Sequence, residues 1–291
     1  MNTSIPLSPS RPYRMTIGTA FGITDIGTVR RSNEDNFLID EKLDLAIVAD
    51  GMGGHAAGEV ASAGALNAVQ QFLRRARAHG VPYVAADHSA TIDPDATRSA
   101  DHDQDATVSD LGIMAVSLMF DAVEFANQTL YAQNLAHDRA EGGMGTTLTG
   151  FCRPFADGEL IFFHVGDSRL YCLRDRALMQ LTRDQTLYQQ ALDAGIRDNL
   201  PPRNMLLQAL GPTPDVLPEI RTFKLQPNDL LMLCSDGLHG AVSHAEIQQI
   251  LATTCEVTLE QDCARLVTLS KKYGGRDNIT VLLMLCHSDP G

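Results

Sequence analysis

Short apolar runs that end at an acid recur along this chain. Ala46-Ile47-Val48-Ala49 stops at Asp50 and breaks into Gly51-Met52-Gly53-Gly54. Leu230 to Ser235 stops at Asp236-Gly237, and Ile161 to Val165 stops at Gly166-Asp167. Gly274-Gly275-Arg276-Asp277-Asn278 comes just before the apolar run from Ile279 to Leu285. Runs this short read as buried strands, and the glycines beside the acids read as turns.

Further strands are predicted at 15–24, 35–40 and 45–49, then as a hairpin-like series at 148–152, 159–165, 170–174 and 178–181, and again at 220–225 and 230–234. The stretch 57–78 predicts a helix with Val60, Gly64, Ala68 and Phe72 at helical spacing and Arg74, Arg75 and Arg77 near its C-terminal end. A second helix is predicted over 111–139, with Val116, Phe120, Val123 and Leu130 among its apolar positions. Two more are predicted at 243–252 and 259–273, the first opened by Ser243 and Glu246 in capping-box spacing. Residues 182–202 carry a short helical pattern and a Pro-Pro loop, a candidate flap.

The helices fall into two pairs and the strands into consecutive runs, not alternating βα units. That pattern predicts an α+β fold of antiparallel sheets flanked by helix pairs. One domain is expected over 15–286, after a Ser/Pro-rich leader at 1–14 and before a short tail at 287–291. The stretch 81–110 is crowded with Asp and His and nearly free of large apolar residues, which predicts a solvated acidic insertion.

The 291 residues are 44% hydrophobic, ample for a packed core, and the net charge of -13 argues against a nucleic-acid partner. No apolar run approaches the length of a membrane helix, and the N-terminus lacks the apolar segment of a signal peptide. The six cysteines show no Cys-x-x-Cys spacing and read as reduced core residues of a cytoplasmic protein.

The acids change the picture. Asp50, Asp167, Asp236 and Asp277 each sit at the end of a strand-like run, and Glu34-Asp35 adds a pair after Arg30-Arg31-Ser32-Asn33. One Asp-Gly alone is ordinary turn chemistry. Several carboxylates gathered at strand ends would repel one another unless a cation neutralised them, and an all-oxygen set suits Mg2+ or Mn2+. No His-Cys-x5-Arg loop is present, which argues against a cysteine phosphoenzyme.

These residues resemble the metal-dependent protein phosphatases, the PPM or protein phosphatase 2C family, in its short bacterial form. The motifs keep their order from Gly27-Thr28-Val29-Arg30 and Asn33-Glu34-Asp35-Asn36 through Val48 to His55 and Gly143-Met144-Gly145-Thr146-Thr147. Val165-Gly166-Asp167-Ser168-Arg169, Ser235-Asp236-Gly237-Leu238 and Arg276-Asp277-Asn278-Ile279-Thr280 complete the set.

The resemblance implies a β-sandwich of two antiparallel sheets with a helix pair outside each. It implies that Asp50 bridges two Mn2+ or Mg2+ ions, with the Gly51 carbonyl, Asp236 and Asp277 as further ligands and Glu34 and Asp35 acting through water. Asp167, with Asp236, matches the place of a third, looser ion. Arg30 falls where phosphate is bound, and His55 where a general acid or flap partner stands. Hydroxide between the ions would attack phosphorus in line, releasing phosphate from phosphoserine or phosphothreonine.

The partners implied are phosphorylated proteins, including a bacterial Ser/Thr kinase and its substrates, met by a cytoplasmic monomer with no nucleic-acid or membrane partner. Two other readings are a catalytically silent phosphoprotein-binding member of the fold and a phosphoesterase for nucleotides or small phosphates. Retention of Arg30, Asp50, Asp236 and Asp277 argues against the silent one. Met52 stands where some members carry His, and Gln185 where relatives often do.

Overall fold

A computed structural model of the chain describes Pro9 and residues 11–53, 57–78, 110–136, 143–155 and 159–287. In chain order its elements begin with β1 (Tyr13–Arg14), β2 (Gly18–Asp25), β3 (Asp35–Asp40) and β4 (Leu45–Met52). The helices α1 (Ala57–Ala78) and α2 (Asp110–Ala136) follow, then β5 (Gly145–Thr146), β6 (Leu148–Cys152), β7 (Leu160–Val165), β8 (Arg169–Arg174) and β9 (Ala177–Gln180). The remainder is α3 (Leu187–Asp193), β10 (Glu219–Phe223), β11 (Leu230–Cys234), α4 (Asp236–His239), α5 (His244–Leu251), α6 (Leu259–Lys272) and β12 (Ile279–Cys286).

The strands form two sheets in which every pairing is antiparallel. One has the order β1-β2-β12-β11-β8-β9; the other runs β10-β7-β6-β4-β3, with β5 beside β4. They pack face to face, with α1 and α2 outside the second sheet and α5 and α6 outside the first. This is the α+β sandwich with helix pairs that the sequence predicts.

The two-residue period of a strand sorts its side chains between these layers. Along β4, Leu45, Ile47 and Ala49 pack under α1 and α2, and Ala46 and Val48 enter the layer between the sheets. Along β11, Leu230, Met232 and Cys234 face the helices, whereas Leu231 and Leu233 face the other sheet. β12 alternates likewise, with Ile279, Val281 and Leu283 outward and Leu282 and Met284 inward. The same alternation carries Asp50, Ser235 and Thr280 to the inter-sheet side at one end of the sandwich.

Several local expectations are corrected. Tyr13–Arg14 pairs with β2, and Arg14 N–H donates to Glu41 at 2.8 Å, so ordered backbone reaches into the segment expected as a leader. The series 148–181 is not one run of hairpins, because β7 belongs to one sheet and β8 to the other. The chain crosses between them at Gly166, where φ is +105°.

On α1 the buried stripe is Ala57, Ala61, Ala65, Ala68, Val69 and Leu73, whereas Val60 is 54% exposed. Small side chains let this helix lie close on the sheet, which hydrophobic spacing alone does not reveal. On α2, Val123 and Leu130 are buried as expected, but Phe120 reaches the surface. α5 begins with Ser243 and Glu246 in a reciprocal capping box. All six cysteines are free, five of them buried, and burial pushes the Cys234 thiol up to about 12. The expected acidic insertion lies outside the described residues except for Asp110, the first residue of α2.

Two buried asparagines on α2 fasten the loops that approach Asp50. Asn134 Nδ2 donates to Met144 O at 2.8 Å and Gly211 O at 2.9 Å, and its Oδ1 accepts from Met144 N at 3.0 Å. Asn127 accepts from Gly211 N at 2.8 Å and donates to Thr213 O at 3.2 Å and Pro214 O at 3.0 Å. Removing such an amide strands buried backbone groups whose desolvation has already occurred. Asn134→Ala is therefore expected to lower the unfolding free energy by about 3 kcal/mol, measured by urea denaturation.

Candidate metal and phosphate site

Asp35 and Asp50 are directly opposed in the β3–β4 register, so both carboxyls project from one face of the sheet. The other sheet meets them with the end of β11 and the start of β12. Asp35 Oδ2 accepts from Ser235 Oγ at 2.6 Å and Thr280 Oγ1 at 2.7 Å. Thr280 N–H donates to Ser235 Oγ at 3.0 Å, and the Thr280 and Thr24 hydroxyls are 2.8 Å apart. Asp25, one strand position beyond Thr24, turns to the helix face and is held by Lys271 at 2.9 and 3.0 Å. Of these strand residues, then, Asp25 faces the helices and Asp35 and Asp50 face the layer between the sheets.

Asp236 opens α4 immediately after Ser235. Asp167 lies in the β7–β8 crossing and is buried. Asp277 precedes β12; its Oδ1 accepts from Asn278 N at 2.9 Å and its Oδ2 meets Arg30 Nη2 at 2.6 Å. Glu34 stands just before β3, its N–H bound by Asn278 Oδ1 at 2.9 Å and its carbonyl accepting from Gly51 N at 3.2 Å and Ser62 Oγ at 2.6 Å.

This approach requires glycine. A Cβ on Gly51 would lie 2.1 Å from Gly58 O, and one on Gly58 would lie 2.4 Å from Glu34 Oε2. Threonines secure the other side of Asp50, whose N–H donates to Thr147 Oγ1 at 2.9 Å and whose carbonyl accepts from Thr147 N and Thr146 Oγ1, both at 2.9 Å.

The electrostatics are those of crowded acids. Loss of water pushes Asp50 well above the ordinary carboxylate range, reinforced by Asp35, Asp236, Asp167 and Asp277. Burial raises Asp167 to about 7, helped by the charges of Asp236 and Asp184. Asp35, Asp236 and Glu34 are raised as well, each first by burial.

A cation fits here on observations within the site itself. Asp35 Oδ1 and Asp236 Oδ1 are buried with no hydrogen-bond partner. Every candidate side-chain donor is a hard oxygen, suited to Mg2+ or Mn2+. Among the described residues, no three His, Cys, Asp or Glu side chains already converge on one centre as a ready ligand set. Mutual repulsion of the carboxylates opposes their closer approach while no cation neutralises them.

The structure therefore gathers Arg30, Glu34, Asp35, Asp50, Gly51, Asp167, Asp236 and Asp277 at one end of the sandwich. His55 lies outside the described residues. Ser235, Thr280 and Asn278 are members of the quoted motifs for which sequence reading supplies no role. Their partners stand in distant segments, and only adjacency to Asp236 and Asp277 draws attention to them.

The expected flap is tied to the site through Gln185 and Asp184. Gln185 N–H donates to Gly166 O at 2.7 Å, and its Oε1 accepts from Gly166 N at 2.9 Å. Arg169 makes a bidentate pair with Asp184 at 2.6 and 2.7 Å. His239 Nε2 stands 3.0 Å from Asp167 O, and burial lowers that imidazole to about 4, so the ring is neutral near pH 7.

A two-sheet sandwich with helix pairs outside and acids at one end of the inter-sheet layer defines the protein's class. The Mycobacterium tuberculosis serine/threonine phosphatase PstP/Ppp has this fold, with a TM-score of 0.72 and 31% identity over 93% of this chain and 99% of that one. The catalytic domain of PstP in complex with two manganese ions gives a TM-score of 0.67 at 31% identity, with the same coverage of 93% and 99%. The serine/threonine phosphatase Stp of Listeria innocua is 34% identical over 90% of this chain and 93% of its own length. The family model described as protein phosphatase 2C matches residues 29–270, and the chain belongs to that family.

Proton linkage at the cluster is measurable. Between the ordinary carboxylate range and about 7, the folded protein holds more protons on Asp167 and its neighbours than the unfolded chain does. Stability of the metal-free protein must then fall as pH rises through that window, by on the order of 2 kcal/mol. Thermal unfolding in EDTA is expected at higher temperature at pH 5.5 than at pH 7.5, with the difference reduced or reversed when Mn2+ is present.

Proposed function

We propose that this chain is a metal-dependent protein phosphatase acting on phosphoserine and phosphothreonine. The observation that carries the reading is the convergence of raised carboxylates, two with unpartnered buried oxygens, beside Arg30. The family and the phosphatase names of its relatives support it.

Asp50, the Gly51 carbonyl, Asp236 and Asp277 hold two Mn2+ or Mg2+ ions, and Asp167 with Asp236 takes a third more loosely. Glu34 and Asp35 act through water, and the Ser235 and Thr280 hydroxyls keep Asp35 turned toward the cluster. When bound, such ions stabilise charge on phosphoryl oxygens and lower the pKa of water in the site.

Arg30 presents a planar fork of donors suited to the remaining phosphate oxygens. Its pairing with Asp277 keeps that fork at the rim before substrate arrives. Asn278 holds the same loop through Ile26 O and Ser32 O, each at 3.0 Å. Arg30 is half exposed at the rim, so the phosphate on an extended segment of another protein can reach it, and the leaving serine or threonine oxygen takes its proton from water there.

The substrates are phosphorylated proteins, among them a Ser/Thr kinase and its targets. All these site residues come from one chain, so a monomer suffices, and the free buried thiols suit the cytoplasm. No helix among the described residues is long and apolar enough to cross a membrane.

Phosphate release from a phosphothreonine peptide tests the reading. Turnover is expected with Mn2+, to be abolished by EDTA, and to fall by about 100-fold or more in Asp236→Asn, the scale on which metal sites respond to loss of supporting groups. Folded, phosphopeptide-binding protein with no turnover under any divalent metal would favour a silent phosphoprotein-binding member instead.

A further inference from the structure

The loop carrying Arg30 is fastened to the segment before β12 along most of its length. Thr28 N–H donates to Gly275 O at 2.8 Å, and Thr28 Oγ1 reaches Gly274 O at 2.5 Å and Gly275 O at 3.1 Å. Gly27 sits at φ +80° against this segment, where a Cβ would fall 2.2 Å from Asp277 O. Asn278 holds the loop from inside through Ile26 O and Ser32 O. The tip of the loop is therefore held on the rim of the acid cluster.

That rim carries positive charge not spent on the protein's own acids. Thr28 through Ser32 and Arg276 are exposed, with Val29 at 64%. Arg30 is paired with Asp277, whereas Arg31 and Arg276 form no ion pair among the described residues. Arg276 Nε lies 3.8 Å from the position a Cβ on Gly274 would occupy. Its side chain thus lies over the residue whose carbonyl accepts the Thr28 hydroxyl, which places Arg276 beside the start of the Arg30 loop. On a chain of net charge -13, two exposed arginines with no ion pair among the described residues, beside an acid cluster, are available to an outside anion.

We propose that Arg31 and Arg276 form a basic lip that receives acidic residues flanking the phosphorylated Ser or Thr of a protein substrate. This rests on the phosphatase reading above. A phosphorylated segment whose phosphate reaches Arg30 must pass over this rim on its way in and out. The cluster's own carboxylates repel acidic flanks, so such flanks are tolerated only where a guanidinium offsets that repulsion. A forked arginine matches a side-chain carboxylate in geometry as well as charge. The lip thereby selects by sequence around the phosphate and leaves the chemical step alone.

The test compares two phosphothreonine peptides, one with Asp and Glu flanks and one with Ala flanks, and p-nitrophenyl phosphate as a substrate with no flanks. All are assayed with the full chain and Mn2+. The double variant Arg31→Gln/Arg276→Gln is expected to lower kcat/KM for the acidic peptide by about fivefold, the scale of two exposed ion pairs, mainly through KM. The Ala-flanked peptide and p-nitrophenyl phosphate should change by less than about twofold, as substrates that make neither pair. In the unaltered protein the preference for the acidic peptide should shrink with added salt. An equal loss on both peptides, or no loss on either, would overturn the lip. Absence of turnover on all three substrates by the unaltered protein with Mn2+ would remove the phosphatase reading, and the lip with it.

Discussion

Negative charge crowded into one end of an apolar sandwich is the constraint on which the rest of this structure depends. Asp35, Asp50, Asp167 and Asp236 stand close enough, and far enough from water, to push one another toward the protonated state. A protein that only had to fold would not gather these groups, because each unneutralised charge costs stability. The arrangement makes physical sense when a cation compensates it, and partnerless oxygens on Asp35 and Asp236 are where compensation is missing. The expense in folding free energy is a reservoir of affinity for metal.

The remainder of the fold supplies rigidity to that end. Every strand that reaches it is paired along its length, and the inter-sheet layer behind it is closed by Phe151, Leu170, Leu231, Leu233 and Leu282. Hydroxyls from Ser235 and Thr280 bind Asp35 across the two sheets, so the cluster also joins the halves of the sandwich. Outside it, Asn127 and Asn134 on α2 fix the loops that border the Asp50 strand, and Asp184 and Gln185 fix the base of the flap to the β7–β8 crossing. The backbone around the acids is thereby fixed, which is the preorganisation a phosphoryl-transfer site needs.

Arg30 occupies the boundary between this interior and solvent. Its partner Asp277 is itself a candidate metal ligand, so the charges available to phosphate and to metal are linked through one side chain. Beyond it the rim changes sign, from buried carboxylate to exposed guanidinium. That gradient suits a doubly charged phosphate, with the acids that would hold cations in the interior and guanidinium groups at the surface.

Much of this was legible in the sequence because local chemistry encodes it. Apolar runs ending in Asp-Gly or Gly-Asp marked strands and turns, consecutive strands and paired helices marked antiparallel sheets flanked by helices, the family resemblance added the sandwich, and the Ser243–Glu246 spacing marked the start of α5. Motif order, with the family resemblance it carries, singled out Arg30, Glu34, Asp50, Asp236 and Asp277. Tertiary structure alone decided what depends on distant segments meeting. Asp25 and Asp35 both border the same loop, yet one faces Lys271 and the other Ser235 and Thr280, because strand parity and sheet assignment send them to opposite faces. Val60 has the spacing of a core residue but is exposed, since α1 packs closely through alanines. The crossing at Gly166 between sheets, the roles of Asn127, Asn134 and Asn278, and the exposure of Arg276 are likewise invisible along the chain. Each is a property of contact between residues far apart in sequence, which single-chain periodicity does not record.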